Sequence, residues 1–375
     1  MQAMPTGTGS LAVFENLNSL LLLPKDVIFN QPVIDNHMYK PLFKIRENGY
    51  FGFIDAQGVV VIEPQYLETG EFRNGFTVVR LNGQWALMDM LGRLFIRRLY
   101  RTVGPFEEDL ARVQVVQSWG YIDRHGKEVI PPLFEEAGDF SEGLAPVTFD
   151  SKAGFIDPEG QFAIKPVFSG TGVFRKGLAP AGENGLWGFV DTKGQFAIKP
   201  AWDSARSFQG NLSVVTRGKQ WGLVDRQGKE RVSPQFEFVR GHAHGEFFDG
   251  MALAYRDGKY GFVNQDGEVA IEPIFDLAGD FGEGLALVEI NGAYGYIDKE
   301  GKLVIMPKFE DAGVFSDGLA QVRIDGKWGY INTDGQIAIP PAFDEASPFR
   351  DGLAQVVSDG RWQYVDRFGG VVWRE

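Results

Sequence analysis

A glycine returns at Gly58, Gly92, Gly126, Gly160, Gly194, Gly228, Gly267, Gly301, Gly335 and Gly369, a step of 34 residues interrupted once by a step of 39. Nine phenylalanines keep the same beat: Phe72, Phe106, Phe140, Phe174, Phe208, Phe247, Phe281, Phe315 and Phe349. A chain with so strict a period builds one small unit many times and buries each unit against its neighbours, since a unit this short cannot cover both of its faces. Ten units run from about Leu42 to Trp373. The array therefore occupies residues 42–375, with a five-residue insertion within 237–246. Residues 1–41 form an N-terminal segment whose last part, 25–41, reads as a degraded half-unit. Val27 and Ile28 match Val61 and Ile62, and Met38 stands where Phe72 would, the expected character of a terminal cap.

Within a unit the local chemistry predicts a β-meander. Leu319 to Ile324 alternates apolar and polar residues, the period of a half-buried strand. Asp325-Gly326 follows, a pair that suits a type I′ hairpin turn because both central residues need positive φ. Trp328 to Asn332 makes the second strand, the Asn332-x-x-Gly335 turn leads into the third, and Pro341 ends the ladder because it has no N–H to donate. The connector, Asp344 to Asp351, has room for one helical turn at most. The expectation is an all-β fold of ten tandem three-stranded meanders. It forms an open β-solenoid or superhelix because a propeller blade usually has four strands and about 40–50 residues; a closed propeller-like ring is the alternative.

Composition narrows the chemistry. The absence of cysteine excludes disulfides, thiolate metal sites and a cysteine nucleophile, and four histidines leave little for general-base or zinc chemistry. A net charge of −13 opposes nucleic acid as a partner. Leu20 to Leu23, an apolar run that Pro24 ends, is too short for a signal or a membrane span, so a soluble cytoplasmic protein without membrane insertion is expected. No cofactor-binding or catalytic motif is visible.

The second strand carries the most specific pattern: Trp119-Gly120-Tyr121-Ile122-Asp123, Trp187-Gly188-Phe189-Val190-Asp191, Trp221-Gly222-Leu223-Val224-Asp225 and Trp328-Gly329-Tyr330-Ile331-Asn332. With Tyr260-Gly261, Tyr294-Gly295, Pro131-Pro132-Leu133-Phe134 and Phe140-Ser141-Glu142-Gly143-Leu144-Ala145, the chain resembles the bacterial WG-repeat family over about nine tenths of its length. That resemblance implies a mostly β interaction or scaffold module without a defined catalytic residue. Three units depart from it: Trp85-Ala86 and Trp362-Gln363 lose the glycine, and Ala153-Gly154 loses the aromatic.

The repeated aromatics suggest either a glycan-binding ladder or packing, and packing is favoured because they recur with the fold. An aromatic beside a glycine on a neighbouring strand fills the missing volume. The repeated Asp, three residues before a turn glycine, reads as turn chemistry rather than as a calcium or catalytic carboxylate. His242 and His244, on the insertion, read as a surface loop rather than a metal site. The second unit differs most: its turn holds Met90-Leu91, followed by Arg93, Arg97, Arg98 and Arg101. Apolar residues on a turn tip rimmed by arginines resemble a docking patch for another protein, and the equal alternative is that Met90 and Leu91 pack against the N-terminal segment. The function expected is a non-enzymatic protein–protein scaffold or adaptor, with a glycan or cell-wall binding module as the rival.

Overall fold

A computed structural model of the chain describes residues 40–73, 75–81, 84–239 and 245–375; His242, His244 and the half-unit at 25–39 lie outside the described residues. The described residues are strands and turns without a helix, hence without one able to cross a membrane, and they form ten small antiparallel sheets in chain order. Unit 1, for example, is Phe43–Glu47, Tyr50–Ile54 and Val60–Tyr66. The hairpin turns are as the sequence predicts, with Asp325 at φ 50° and Gly326 at φ 75°. The Asp-x-x-Gly turns are held as expected too. Asp123 Oδ1 accepts from the N–H of His125 at 2.9 Å and of Lys127 at 2.8 Å.

The connector corrects the three-strand expectation. Instead of a helical turn, seven of the ten sheets gain a fourth strand from it, such as Glu345–Ala346, which pairs with Val356 and Val357. The repeated phenylalanine follows this strand and wedges against an aromatic of the preceding unit. Ring centroids stand 4.8 Å apart for Phe53–Phe72, 4.9 Å for Tyr121–Phe140 and 4.8 Å for Tyr330–Phe349. Clusters of buried residues thus span two units: Leu285, Tyr296 and Phe309 meet Phe315, Ala320 and Ile331 of the next.

The signature glycine has a cause the sequence reading missed. Trp328 pairs with Phe343 and Tyr330 with Ile339, so two residues of the second strand face four of the third. The surplus, centred on Pro340-Pro341, bulges over Gly329, where an added Cβ would lie 2.6 Å from both the Ile339 carbonyl oxygen and the Pro341 nitrogen. No side-chain volume is missing there for an aromatic to fill; the space is taken by backbone. A proline stands 12 residues after every signature glycine: Pro64 after Gly52, Pro132 after Gly120, Pro166 after Gly154, and likewise Pro200, Pro234, Pro273, Pro307 and Pro341. The two units without the glycine, at Ala86 and Gln363, carry Arg98 and Glu375 instead. In unit 2 the register accommodates the Ala86 methyl by slipping one residue. Leu87 pairs with Phe95, where the equivalent residue elsewhere pairs with the counterpart of Ile96.

The ends of the array meet, which selects the closed ring over the open solenoid. Along the chain, turn glycines sit on the third strand of the unit before, as Gly92 does on Ile62 and Gly369 on Ile339. Gly58 of unit 1 makes that same contact with Val372 of unit 10. Phe43, Ile45 and Ile54 share one buried cluster with Leu353 and Tyr364, and the Tyr364 hydroxyl donates to the Lys44 carbonyl at 2.9 Å. Arg46 Nε lies 2.9 Å from Glu375 Oε1.

Two tests follow from this geometry. Gly329→Ala forces backbone apart and should cost about 1–3 kcal/mol in urea unfolding, whereas Ala86→Gly, in a unit already relaxed around a methyl, should stay within about 1 kcal/mol. Tyr364→Ala should cost about 3 kcal/mol if the ring is closed, far more than an end residue of an open array would. The Arg46 guanidinium also holds the Glu375 carboxyl below its usual range. That contribution is complete above the unfolded carboxyl's pKa and is lost as pH falls through the folded one, so Glu375→Gln should flatten the acid limb of a pH–stability curve.

Candidate interaction surface

First strands begin, and second strands end, at the same edge of the ring, since Leu319 pairs with Asn332. That edge therefore displays the ten turns, eight Asp-x-x-Gly and two Asn-x-x-Gly, and the connector tips, while the hairpin turns lie at the opposite edge. The tips are bound in series. Glu108 accepts from the N–H of Glu142 at 2.6 Å and of Gly143 at 2.8 Å, Glu142 accepts from Lys176 and Gly177, Glu283 from Gly318 at 2.9 Å, and Asp317 from Gly352 at 2.8 Å. Paired N–H groups in left-handed backbone form a small anion cradle, so part of the chain's acidity is spent joining one unit to the next. Asp249 belongs to this series: Lys299 at 2.9 Å and the Gly284 N–H hold its carboxyl below the usual range. Sequence reasoning missed the series, although acidic residues 34 apart before a glycine were its visible trace.

The second unit's candidate residues separate in space. Met90 is half-buried against the unit 1 cluster of Leu42, Phe53 and Ile62, rather than free at the tip. Leu91 is 67% exposed. Arg93 places Nε 2.6 Å from Oδ2 of Asp89, which is fully buried, while Asp89 Oδ1 accepts from the N–H groups of Leu91 and Arg93. Arg93 thus neutralises a buried carboxylate and is committed to the turn. Arg97 and Arg98 lie on the third strand, Leu94–Tyr100, with Arg98 at the position where most units carry the bulge proline. Arg101 is exposed past the strand's far end, roughly 20 Å from the turn at the usual rise per residue. Among the described side chains of this set, Leu91 and Arg101 are the two exposed to a partner, and they are not neighbours.

The aromatic signature is packed. Trp221 is fully buried, and Trp119, Trp187, Trp328 and Trp362 are half-buried. The Trp362 face is covered by the Arg46 guanidinium at 4.5 Å, and the Phe51 ring lies tilted beside it with centroids 6.4 Å apart. Among the described carboxyls one has a raised pKa: burial pushes Asp139 up against the pull of Arg112, whose Nε lies 2.9 Å away. Arg112 also donates to the Ala137 carbonyl and lies over Trp119, so this carboxylate is clamped within the joint between two units. A polar groove between units 6 and 7 is lined by Asn211, Asp225, Arg231, Gln265 and Asp266. Among the described residues no cluster of three or more His, Asp or Glu side chains could hold a metal ion.

The sequence profile described as "WG containing repeat" matches nine consecutive segments, 51–85, 85–115, 119–152, 154–187, 187–220, 221–260, 260–292, 294–328 and 328–362. No curated protein matches the sequence significantly. Among solved structures, "Crystal structure of the eukaryotic initiation factor" is similar with a TM-score of 0.52 at 11% identity, covering 90% of this chain and 96% of that one. BamB from Moraxella catarrhalis gives 0.36 at 10% identity over 82% and 96%, and dihydro-heme d1 dehydrogenase NirN gives 0.39 at 12% over 94% and 77%. The first of these supports a propeller-like arrangement of sheets, and identities this low speak to fold alone.

The turn geometry predicts a split between two adjacent residues. Met90→Asp places a charge against a buried cluster and should cost about 2–3 kcal/mol, while Leu91→Asp should change stability by less than about 0.5 kcal/mol. Differential scanning calorimetry of the single variants checks both.

Proposed function

The chain belongs to the family of WG-containing repeat proteins, and from that premise we propose that it is a non-enzymatic scaffold, a cytoplasmic adaptor that binds another protein. The observation behind this reading is a division of labour. Residues that repeat are consumed by the fold: the glycine under the bulge, the proline over it, the Asp that ties each turn and the phenylalanine between units. Residues that vary stand at the exposed middle of each turn, where ten different surroundings share one rigid frame. Loops held by a rigid scaffold are the usual carriers of recognition. Leu91 is the residue of the second unit best placed to contact a partner, with Arg101 as a separate basic contact, and the packed tryptophans argue against a glycan ladder.

A protein captured by the intact chain and then purified should bind it with defined stoichiometry in calorimetry. It should bind the Leu91→Asp, Arg101→Glu variant at least tenfold more weakly, with the variant's thermal midpoint unchanged. Equal binding by both proteins would remove the second unit from the interface, and retention of a soluble glycan by the intact chain would overturn the scaffold reading.

A further inference from the structure

The residue just before the turn glycine is polar in eight units: Gln57, His125, Glu159, Lys193, Gln227, Asp266, Glu300 and Asp334. The other two are Leu91, 67% exposed, and Phe368, 94% exposed. These exceptions are not scattered. They belong to units 2 and 10, and because the ring closes through Gly58 on Val372, the units that carry them flank unit 1 on either side. A phenylalanine exposed on a turn, with a leucine on the matching turn two units away, makes two apolar points at a position that is polar in every other unit.

The chain enters the ring between those points. Phe43 pairs with Ile54, the residue before the Asp55 turn, so Lys40 lies at the same edge as all ten turns. The 39 residues that precede it include Leu11, Val13, Phe14, Leu17 and the run Leu20 to Leu23, the densest apolar stretch outside the repeats. Packed sheets stand about 10 Å apart, which puts the two tips roughly 20 Å from each other. The 16 residues from Pro24 to Tyr39 reach up to about 50 Å when extended, so tether length does not limit contact with either tip.

We propose that residues 11–23 dock across unit 1 onto Leu91 and Phe368, so that the chain covers its own two apolar turns. The occupant is chosen by where the described chain begins, midway between the tips, and by the high effective concentration that a short tether confers. This inference does not rest on the scaffold reading. It adds to that reading one condition: a partner that uses Leu91 must first displace the segment.

Hydrogen exchange read by mass spectrometry on the full chain tests it without any partner. Amides of residues 11–23 should exchange at least tenfold more slowly than in an isolated peptide of that sequence, and Leu91→Asp with Phe368→Asp should abolish the difference while exchange in the strands is unchanged. Leu133→Asp, at an equally exposed leucine on the third strand of unit 3, should leave the protection intact. Peptide-like exchange in the unaltered chain would overturn the proposal, as would protection that survives the double substitution. Protection that rises with protein concentration would assign the turns to a second copy instead.

Discussion

Eight of the ten sheets in this molecule depend on a place where two backbones touch. The third strand is two residues too long for the second, and the excess lies directly on a glycine. A methyl group at that point would meet carbonyl oxygen and amide nitrogen rather than a side chain that could turn aside, so the cost falls on the main chain. Proline suits the bulge because it fixes φ and removes an N–H that the distorted ladder cannot satisfy. Glycine and proline are therefore one device written 12 residues apart, and unit 2 and unit 10, which lack one half, lack the other as well.

From this local device follows the stacking. Bulged strands twist more strongly than regular ones, and the turn after the second strand reaches the preceding unit, where its glycine rests on a buried isoleucine, as Gly335 does on Ile305. The phenylalanine of the connector then fills the joint from the other side. Both contacts recur from unit to unit with modest changes of partner, as where Gly58 meets Val372, so the joints are alike and the small rotation at each one accumulates. Ten such rotations bring Tyr364 to Lys44. Closure is a property of the joint rather than of any dedicated clasp, although Arg46 and Glu375 reinforce it.

Much of this was legible in the sequence because repetition turns a weak local signal into a strong one. A single Asp-x-x-Gly proves little, but eight of them and two Asn-x-x-Gly in register fix the turns, and the Asp123 hydrogen bonds are those the pattern implies. Closure was not legible, since the contact between Phe43 and Tyr364 joins opposite ends of the array and leaves no trace in the period. The fourth strand was hidden for a different reason: Glu345–Ala346 is two residues long and has no alternation to detect. In the second unit, the sequence could set Met90 and Leu91 side by side but could not tell which one faced inward. Arg93 was read as part of a rim because its partner, the buried Asp89, looked like any other turn carboxylate.

A frame in which every joint is alike also constrains where function can sit. Substitution at a repeated position damages a joint and, in a closed ring, strains all the others, so these positions are held by stability alone. One position in each turn escapes that constraint: the Asp or Asn and the Gly fix the backbone, and the residue just before the glycine is exposed in all ten units. There, polarity is the default that keeps an exposed edge soluble. An apolar residue in such a position gains nothing for the fold, and Phe368 and Leu91 stand on the two units that flank unit 1, where the ring begins. Their placement ties the point of closure to the point where the surface changes character, which is the asymmetry a tenfold repeat needs before it can present one face to one ligand.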